Sequence, residues 1–132
     1  MSKLSTIKIE SNRTVLGIRT SFEGFHHYTQ APNEVSFLRS THRHVFQVIV
    51  EVEVDSKVDR SLEFFMVKKK VDTLCERLWK GNTFPDSCES IAKSIGEYVL
   101  SSYPTLFKCD VTVQEDAENY ARVSLEKTVE EG

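Results

Sequence analysis

A long alternating segment in the first half of the chain constrains the fold more than any other feature. From His44 to Val54, every even-numbered residue after the histidine is apolar. Such alternation predicts a β-strand with one buried face. Side chains two positions apart on a strand project to the same side, so His42 and His44 should lie on the buried face with Phe46. The strand is therefore expected to carry a histidine pair toward the interior.

An earlier segment repeats this alternation and adds a third histidine. The alternation runs from Leu16 to Phe22, and its parity continues through Gly24 to His26. If the two segments pair as antiparallel strands, His26 joins His42 and His44 on the inner face. His27 has the opposite parity and is predicted to point away.

The sequence holds four histidines, all between positions 26 and 44. Neutral imidazole is the commonest protein ligand for a transition metal. Taken alone, an H-x-H pair on a strand is more often ordinary surface or core decoration. The third histidine at matching parity favours a metal site. Three histidines without a fourth protein ligand make an open zinc site, so the sequence predicts Zn²⁺ bound by His26, His42 and His44.

Length, charge and cysteine content limit the classes of partner. A chain of 132 residues suits a single domain over residues 1–132 with its own core. Its 17 basic and 20 acidic residues give a net charge of -3, and its one basic run, Lys68 to Lys70, falls in a predicted helix and is expected to be solvated. We therefore expect no nucleic-acid partner. Cys75, Cys88 and Cys109 lack C-x-x-C spacing, and no signal peptide or membrane-spanning run is evident, which predicts a cytoplasmic protein without a membrane partner.

The second half of the chain predicts two helices followed by two strands. Apolar residues at spacings of three and four predict an amphipathic helix over residues 62–79, and a second one over residues 87–102 with Asp86 as its N-cap. Alternating segments predict strands over residues 109–115 and 120–127, joined by a polar turn. The expected fold class is α+β, a four-stranded antiparallel sheet with two helices inserted between strands 2 and 3 and packed on one face.

Six short motifs carry a resemblance to a known family. In chain order they are Phe22-Glu23-Gly24-Phe25-His26, His42-Arg43-His44, Glu63-Phe64, Glu76-Arg77-Leu78, Ser87-Cys88-Glu89 and Val113-Gln114-Glu115. Together they resemble the 6-pyruvoyl-tetrahydropterin synthase family, which includes the 6-carboxy-tetrahydropterin synthases of queuosine biosynthesis. The resemblance implies the tunnelling fold, homo-oligomers built as trimers or hexamers, and zinc on the three histidines. It also implies a lyase acting on 7,8-dihydroneopterin triphosphate or a related pterin.

The resemblance implies ligand contacts from two residues. Glu115 matches the position where the family anchors its pterin, and Ser87 lies in the motif that opens the second helix. A carboxylate can accept two parallel hydrogen bonds from the 2-amino group and ring N–H of a pterin or guanine. The parity of Glu115 with Val111 and Val113 predicts that it points inward, although a solvated glutamate at a strand end is the alternative.

The chain departs from the family at its acid–base residues. The family's cysteine before the H-x-H pair is absent from residues 35–41, and its Asp-His pair is absent where this chain reads Trp79-Lys80-Gly81-Asn82. Glu34 is the first candidate substitute, because glutamate takes the cysteine's place in a side-chain-cleaving branch of the family, and His27 is the second. A helix N-terminal position can lower the pKa of the Cys88 thiol, but the apolar spacing of Cys88 to Ile91 and Ile95 favours a buried structural thiol.

Three functions remain open from the sequence. The first is a zinc-dependent pterin lyase. The second is a protein that binds a pterin, a guanine-like compound or a nucleotide without turnover, favoured by retained binding residues beside missing catalytic ones. The third, a structural domain with a vestigial site, gives three metal histidines little reason to occur together.

Overall fold

The structure is a computed structural model that describes residues 5–130. In chain order its elements are strand β1 Thr14–His26, a 3₁₀ helix Asn33–Arg39, strand β2 His42–Val54, helix α1 Phe64–Leu78, strand β3 Thr83–Phe84, helix α2 Cys88–Ser102, strand β4 Lys108–Glu115 and strand β5 Asn119–Glu126. The sheet order is β3-β1-β2-β4-β5. Among residues 5–130, no helix combines the length and apolarity needed to cross a bilayer.

The pairing of β1 with β2 confirms the parity predicted from the two alternating segments. The strands are antiparallel and in continuous register from Thr14 opposite Val54 to His26 opposite His42. The even-numbered residues of β2 from 46 to 52 are buried, and so is Phe22 on β1. β4 pairs antiparallel with β2 and with β5, so the two later strands extend the same sheet.

The prediction of four antiparallel strands is wrong in one respect, because the sheet has five strands and is mixed. The fifth strand, β3, lies between the two helices and pairs parallel with β1 at Phe25 and His26. Two residues are too few to show alternation, which is why the sequence did not predict it. Its pairing is favoured by burial of Phe84, whose ring packs on the aromatic residues Phe22 and Phe46.

The two predicted helices are present with slightly different ends. α1 begins after Glu63, whose side chain accepts a hydrogen bond from the Phe65 N–H, and ends before Trp79. For α2 the predicted cap is wrong. Ser87 is the N-cap and accepts from the Ser90 N–H at 3.1 Å, whereas Asp86 accepts from the Trp79 indole at 3.2 Å.

Both helices cover the same face of the sheet and form the core with it. α1 buries Val67, Val71 and Leu74 against β1, and α2 buries Ile91 and Ile95 against β4 and β5. The opposite face carries charged pairs such as Arg122 with Asp110 and Arg43 with Glu23. The histidine-bearing ends of β1 and β2 are on the helix-covered side by parity, which places the candidate site at one end of the core.

Gly24 is required where β1 meets β3. A Cβ at this position would lie 2.5 Å from the Phe84 ring and 3.4 Å from the Trp79 carbonyl oxygen. We predict that Gly24→Ala lowers the free energy of unfolding by about 1–3 kcal/mol, because the aromatic core must shift. Gly17→Ala is the matched control, since its Cβ would meet neighbours at 3.5 Å and alanine suits a strand better than glycine. Urea unfolding measures both, and equal stability of the two variants would contradict the packing argument.

Candidate metal centre

Three imidazoles meet where β1 ends and β2 begins. His26 lies directly opposite His42 in the strand register, and His44 follows two positions later on the same face. One ring nitrogen from each of the three histidines lies within 4.8 Å of the others. A tetrahedral zinc ion with bonds of about 2.0–2.1 Å holds its ligand atoms about 3.4 Å apart. The set therefore needs only small side-chain rotations to enclose an ion.

Aromatic side chains form the floor of this site. The ring of Phe84 lies 5.9 Å from that of His26, and the ring of Phe46 lies 5.8 Å from that of His44, between centroids. Phe46 is fully buried and Phe84 nearly so. An apolar floor lowers the local dielectric and strengthens any interaction between the imidazoles and a cation.

His26 is the most telling of the three residues. It is only 9% exposed, and among residues 5–130 neither of its ring nitrogens makes a hydrogen bond of normal geometry. Burial lowers its pKa, and the nearby His42 and His44 lower it further, while the charge of Glu115 and the Pro85 backbone oppose the change. A buried polar atom without a partner costs about 1–3 kcal/mol. A neutral, unpartnered imidazole facing two others fits a metal ligand, so the residues present suit a zinc ion.

The other two histidines are oriented by hydrogen bonds at Nδ1. The Nδ1 of His42 lies 2.8 Å from the Ser40 carbonyl oxygen, and that of His44 lies 2.5 Å from Asp116 Oδ2. Carbonyl and carboxylate oxygens only accept, so both Nδ1 atoms carry the proton. In the neutral ring of this tautomer, Nε2 carries the lone pair that can bind an ion. The Nε2 of His42 has no hydrogen-bond partner in the described part of the chain.

Asp116 is a site residue that sequence reasoning missed. It was assigned only to the polar turn between two predicted strands, and its contact with His44 spans 72 positions of sequence. The pKa of its carboxyl group is lowered, chiefly by a hydrogen bond from the Val45 N–H and further by His44. The one sequence signal that could have pointed to Asp116 is its position next to Glu115, which was predicted to contact the ligand.

Glu115 lies beside the histidine set and not within it. Its register partner on β2 is Phe46, and its Oε2 is 4.0 Å from the Nε2 of His44. It is half-buried and is not one of the residues whose ligand atoms cluster within 4.8 Å in the described chain. The carboxylate of Glu115 is therefore a neighbour of the three imidazoles and not a fourth member of their set.

Cys88 contacts the same carboxylate from the start of α2. Burial raises the pKa of its thiol to about 12, and the charge of Glu115, a hydrogen bond to Glu115 and the charge of Glu89 add to this effect. This agrees with the structural thiol that the apolar spacing favours, and not with a thiol of lowered pKa. The helix N-terminus favours a thiolate, but burial beside a carboxylate outweighs it.

The remaining candidate residues lie around the centre. Ser87 is exposed, and its hydroxyl oxygen accepts the capping hydrogen bond from Ser90, which leaves its proton free to donate. Glu34 is exposed on the 3₁₀ helix that connects the two histidine-bearing strands. His27 is half-buried just after β1, and its Nδ1 has no hydrogen-bond partner among the described residues. Neither Glu34 nor His27 belongs to the imidazole cluster.

Solved structures with a similar fold include several 6-pyruvoyl tetrahydropterin synthases. The Plasmodium falciparum enzyme matches with a TM-score of 0.68 at 15% identity, over 89% of this chain and 100% of that one. A Plasmodium vivax enzyme, a catalytic residue mutant with cysteine in place of glutamate, matches with a TM-score of 0.69 at 15% identity over the same shares. The Caenorhabditis elegans enzyme matches with a TM-score of 0.63 at 16% identity, over 92% of this chain and 100% of that one.

Neither a family model nor a curated protein matches the sequence itself. The resemblance indicated by the six motifs is thus confirmed at the level of the fold, across most of the chain. Identity near 15% establishes the arrangement of strands and helices, and it leaves ligand and activity to be argued from the site.

The raised thiol pKa values predict slow alkylation in the folded protein. All three cysteines have a pKa raised to about 12, so little thiolate exists at pH 8. We predict that iodoacetamide modifies each of them at least about a hundredfold more slowly than in urea-unfolded chain. In Glu115→Gln, only Cys88 should react faster, with Cys75 and Cys109 as internal controls. Peptide mass spectrometry resolves the three sites, and an unchanged Cys88 rate would contradict its contact with Glu115.

Proposed function

We propose that this chain is a zinc-dependent lyase of the tetrahydropterin synthase type, acting on 7,8-dihydroneopterin triphosphate or a related pterin. The observation that carries the proposal is the buried His26, whose unpartnered ring nitrogens face His42 and His44 beside the carboxylate of Glu115. A metal site and an acceptor for a pterin edge are thus adjacent. The fold shared with 6-pyruvoyl tetrahydropterin synthases supports the same substrate class.

Zinc would be held by the three imidazoles and would polarise the hydroxyl and carbonyl oxygens of the substrate side chain. Glu115 accepts hydrogen bonds from the 2-amino group and ring N–H, which fixes the orientation of the pterin. Ser87 has a hydroxyl proton to donate and stands next to Cys88, which touches the same carboxylate. The aromatic floor of Phe46 and Phe84 excludes water from one side of the site.

Glu34 is the proposed proton-transfer residue. It lies on the connection between β1 and β2, which is anchored to the centre at both ends by His26 and His42. The connection folds on itself through a hydrogen bond from the Tyr28 N–H to the Leu38 carbonyl at 2.7 Å. Glutamate is the replaced catalytic residue in two Plasmodium vivax structures of similar fold, which supports this role for a glutamate. His27 is the alternative imidazole.

A second function, ligand binding without turnover, is favoured by the properties of the candidate acid–base residues, Cys88 and Glu34. The pKa of the Cys88 thiol, which lies near Glu115, is raised to about 12, and this disfavours Cys88 as a replacement for the missing proton-transfer thiol. Glu34 is exposed and, among residues 5–130, lies outside the cluster of three imidazoles. A protein that binds without turnover would hold a pterin, a guanine-like compound or a nucleotide at this site.

We further propose a homo-oligomer, a trimer or hexamer, working in the cytoplasm. β5 is an exposed edge, and β1 has only two of its residues covered by β3. Free edges are templates for pairing with a second copy of a sheet. Light scattering tests this assembly directly.

We predict about one zinc per chain in metal-loaded protein, with loss of the ion in His42→Ala and His44→Ala. His27→Ala is the matched control, because it removes a neighbouring imidazole that lies outside the cluster. Inductively coupled plasma mass spectrometry of chelator-washed samples measures the metal content. Full zinc content in both ligand variants would show that the ion binds elsewhere.

The activity is tested with 7,8-dihydroneopterin triphosphate and zinc-loaded protein. We predict product formation that falls at least about a hundredfold in Glu34→Gln, since a general acid–base residue contributes about that much or more. Glu97→Gln, an exposed carboxylate on α2, should be unaffected. Retained activity in Glu34→Gln together with loss in His27→Ala would transfer the role to the histidine.

Ligand binding by calorimetry separates the two functions in the same samples. Binding without product in the wild-type protein would establish the second function. Under either function, Glu115→Ala should weaken binding by about tenfold or more, the value of a hydrogen bond to a charged group.

A further inference from the structure

We propose that Asp116 is the positioning residue of the metal centre: its carboxylate fixes the ring orientation and tautomer of His44 so that Nε2 faces the ion. This inference rests on the proposed zinc site and adds to it a residue outside the histidine set. Asp116 belongs to the turn between β4 and β5, and Asp116 does not itself reach the ion position.

Three hydrogen bonds hold Asp116 against β2. One carboxylate oxygen, Oδ2, lies 2.5 Å from the Nδ1 of His44, and the other, Oδ1, accepts from the Val45 N–H at 2.8 Å. The backbone N–H of Asp116 donates to the Val45 carbonyl oxygen at 2.8 Å. Both side-chain oxygens and the backbone N–H of Asp116 are therefore hydrogen-bonded to two consecutive residues of β2, His44 and Val45.

The backbone conformation of the turn supports a dedicated role for this side chain. Asp116 has φ 51° and Ala117 has φ 60°, and the turn closes with a hydrogen bond from Glu118 N–H to the Glu115 carbonyl at 2.9 Å. Residues other than glycine pay an energetic penalty at such angles, and aspartate and asparagine tolerate them best. Aspartate here satisfies the turn and also supplies a charged acceptor at the position where His44 needs one.

The three imidazoles differ in how they are held. His44 is the one bonded to a charged acceptor, His42 is bonded to the Ser40 carbonyl, and His26 has no such bond in the described chain. A carboxylate on Nδ1 fixes the proton there, leaves the lone pair on Nε2 and makes the imidazole a stronger ligand. The Oε2 of Glu115 lies 4.0 Å from the Nε2 of the same ring. Two adjacent residues of the β4–β5 hairpin therefore lie next to the two nitrogens of His44, Asp116 at Nδ1 and Glu115 at Nε2.

The decisive variant is Asp116→Asn, which tolerates the turn conformation but lacks the second acceptor oxygen and the charge. Glu118→Gln is the matched control, because it removes one negative charge from the same exposed turn. Competition with a chromophoric chelator measures the zinc dissociation constant. We expect it to rise about ten- to hundredfold in Asp116→Asn and to change less than about threefold in Glu118→Gln.

A second readout uses the metal-free protein. Long-range ¹H–¹⁵N spectra report the ring tautomer of His44, which should be the Nδ1–H form in the wild type and a mixture in Asp116→Asn. Unchanged zinc affinity, or weaker affinity with an unchanged tautomer, would overturn the positioning role. If Asp116→Asn unfolds, Asp116→Gly repeats both measurements, since glycine suits a positive φ. A wild type that binds no zinc would refute the proposed function, whereas the tautomer experiment would still decide whether Asp116 orients His44.

Discussion

The register between β1 and β2 is the constraint on which the rest of the structure depends. Thirteen consecutive residue pairs join the two strands, and they end with His26 opposite His42. A shift by one residue would turn every inward side chain of one strand to the solvent. The same register that buries Phe46 and Phe22 therefore also assembles the imidazoles. Core packing and candidate chemistry are here two results of one alignment.

Much of this arrangement was predictable because it depends on period and parity. Alternation predicted both long strands and the shared face of the three histidines, and apolar spacing predicted both helices. β3 was not predictable, since its two residues carry no period and its pairing depends on Phe84 reaching the aromatic core. The sequence also did not reveal that Ser87 and not Asp86 is the N-cap of α2. The Asp86 carboxylate instead accepts a hydrogen bond from the Trp79 indole, a tertiary contact that has no sequence pattern.

Contacts between residues far apart in sequence account for what the sequence did not reveal about the site. Glu115 could be singled out by its motif, but its distance from His44 and its contact with Cys88 arise only when β4 and α2 pack against β2. Asp116 carried no motif, and its part in the site depends on a turn conformation and a partner 72 positions away. The burial that raises the pKa of Cys88 was, by contrast, favoured by its apolar spacing to Ile91 and Ile95.

The distribution of the site over the strands has a consequence for the order of folding. His26, His42 and His44 all belong to one hairpin, whose pairing is local in sequence, whereas Glu115 and Asp116 arrive only when β4 joins the sheet. Contacts that close short loops form before those that close long ones, and an ion bound early adds its binding free energy to the folding that follows. The segment from Thr14 to Val54 already contains every imidazole of the set. From this strand order we expect the imidazoles to come together first in folding and the two carboxylates to join them afterwards.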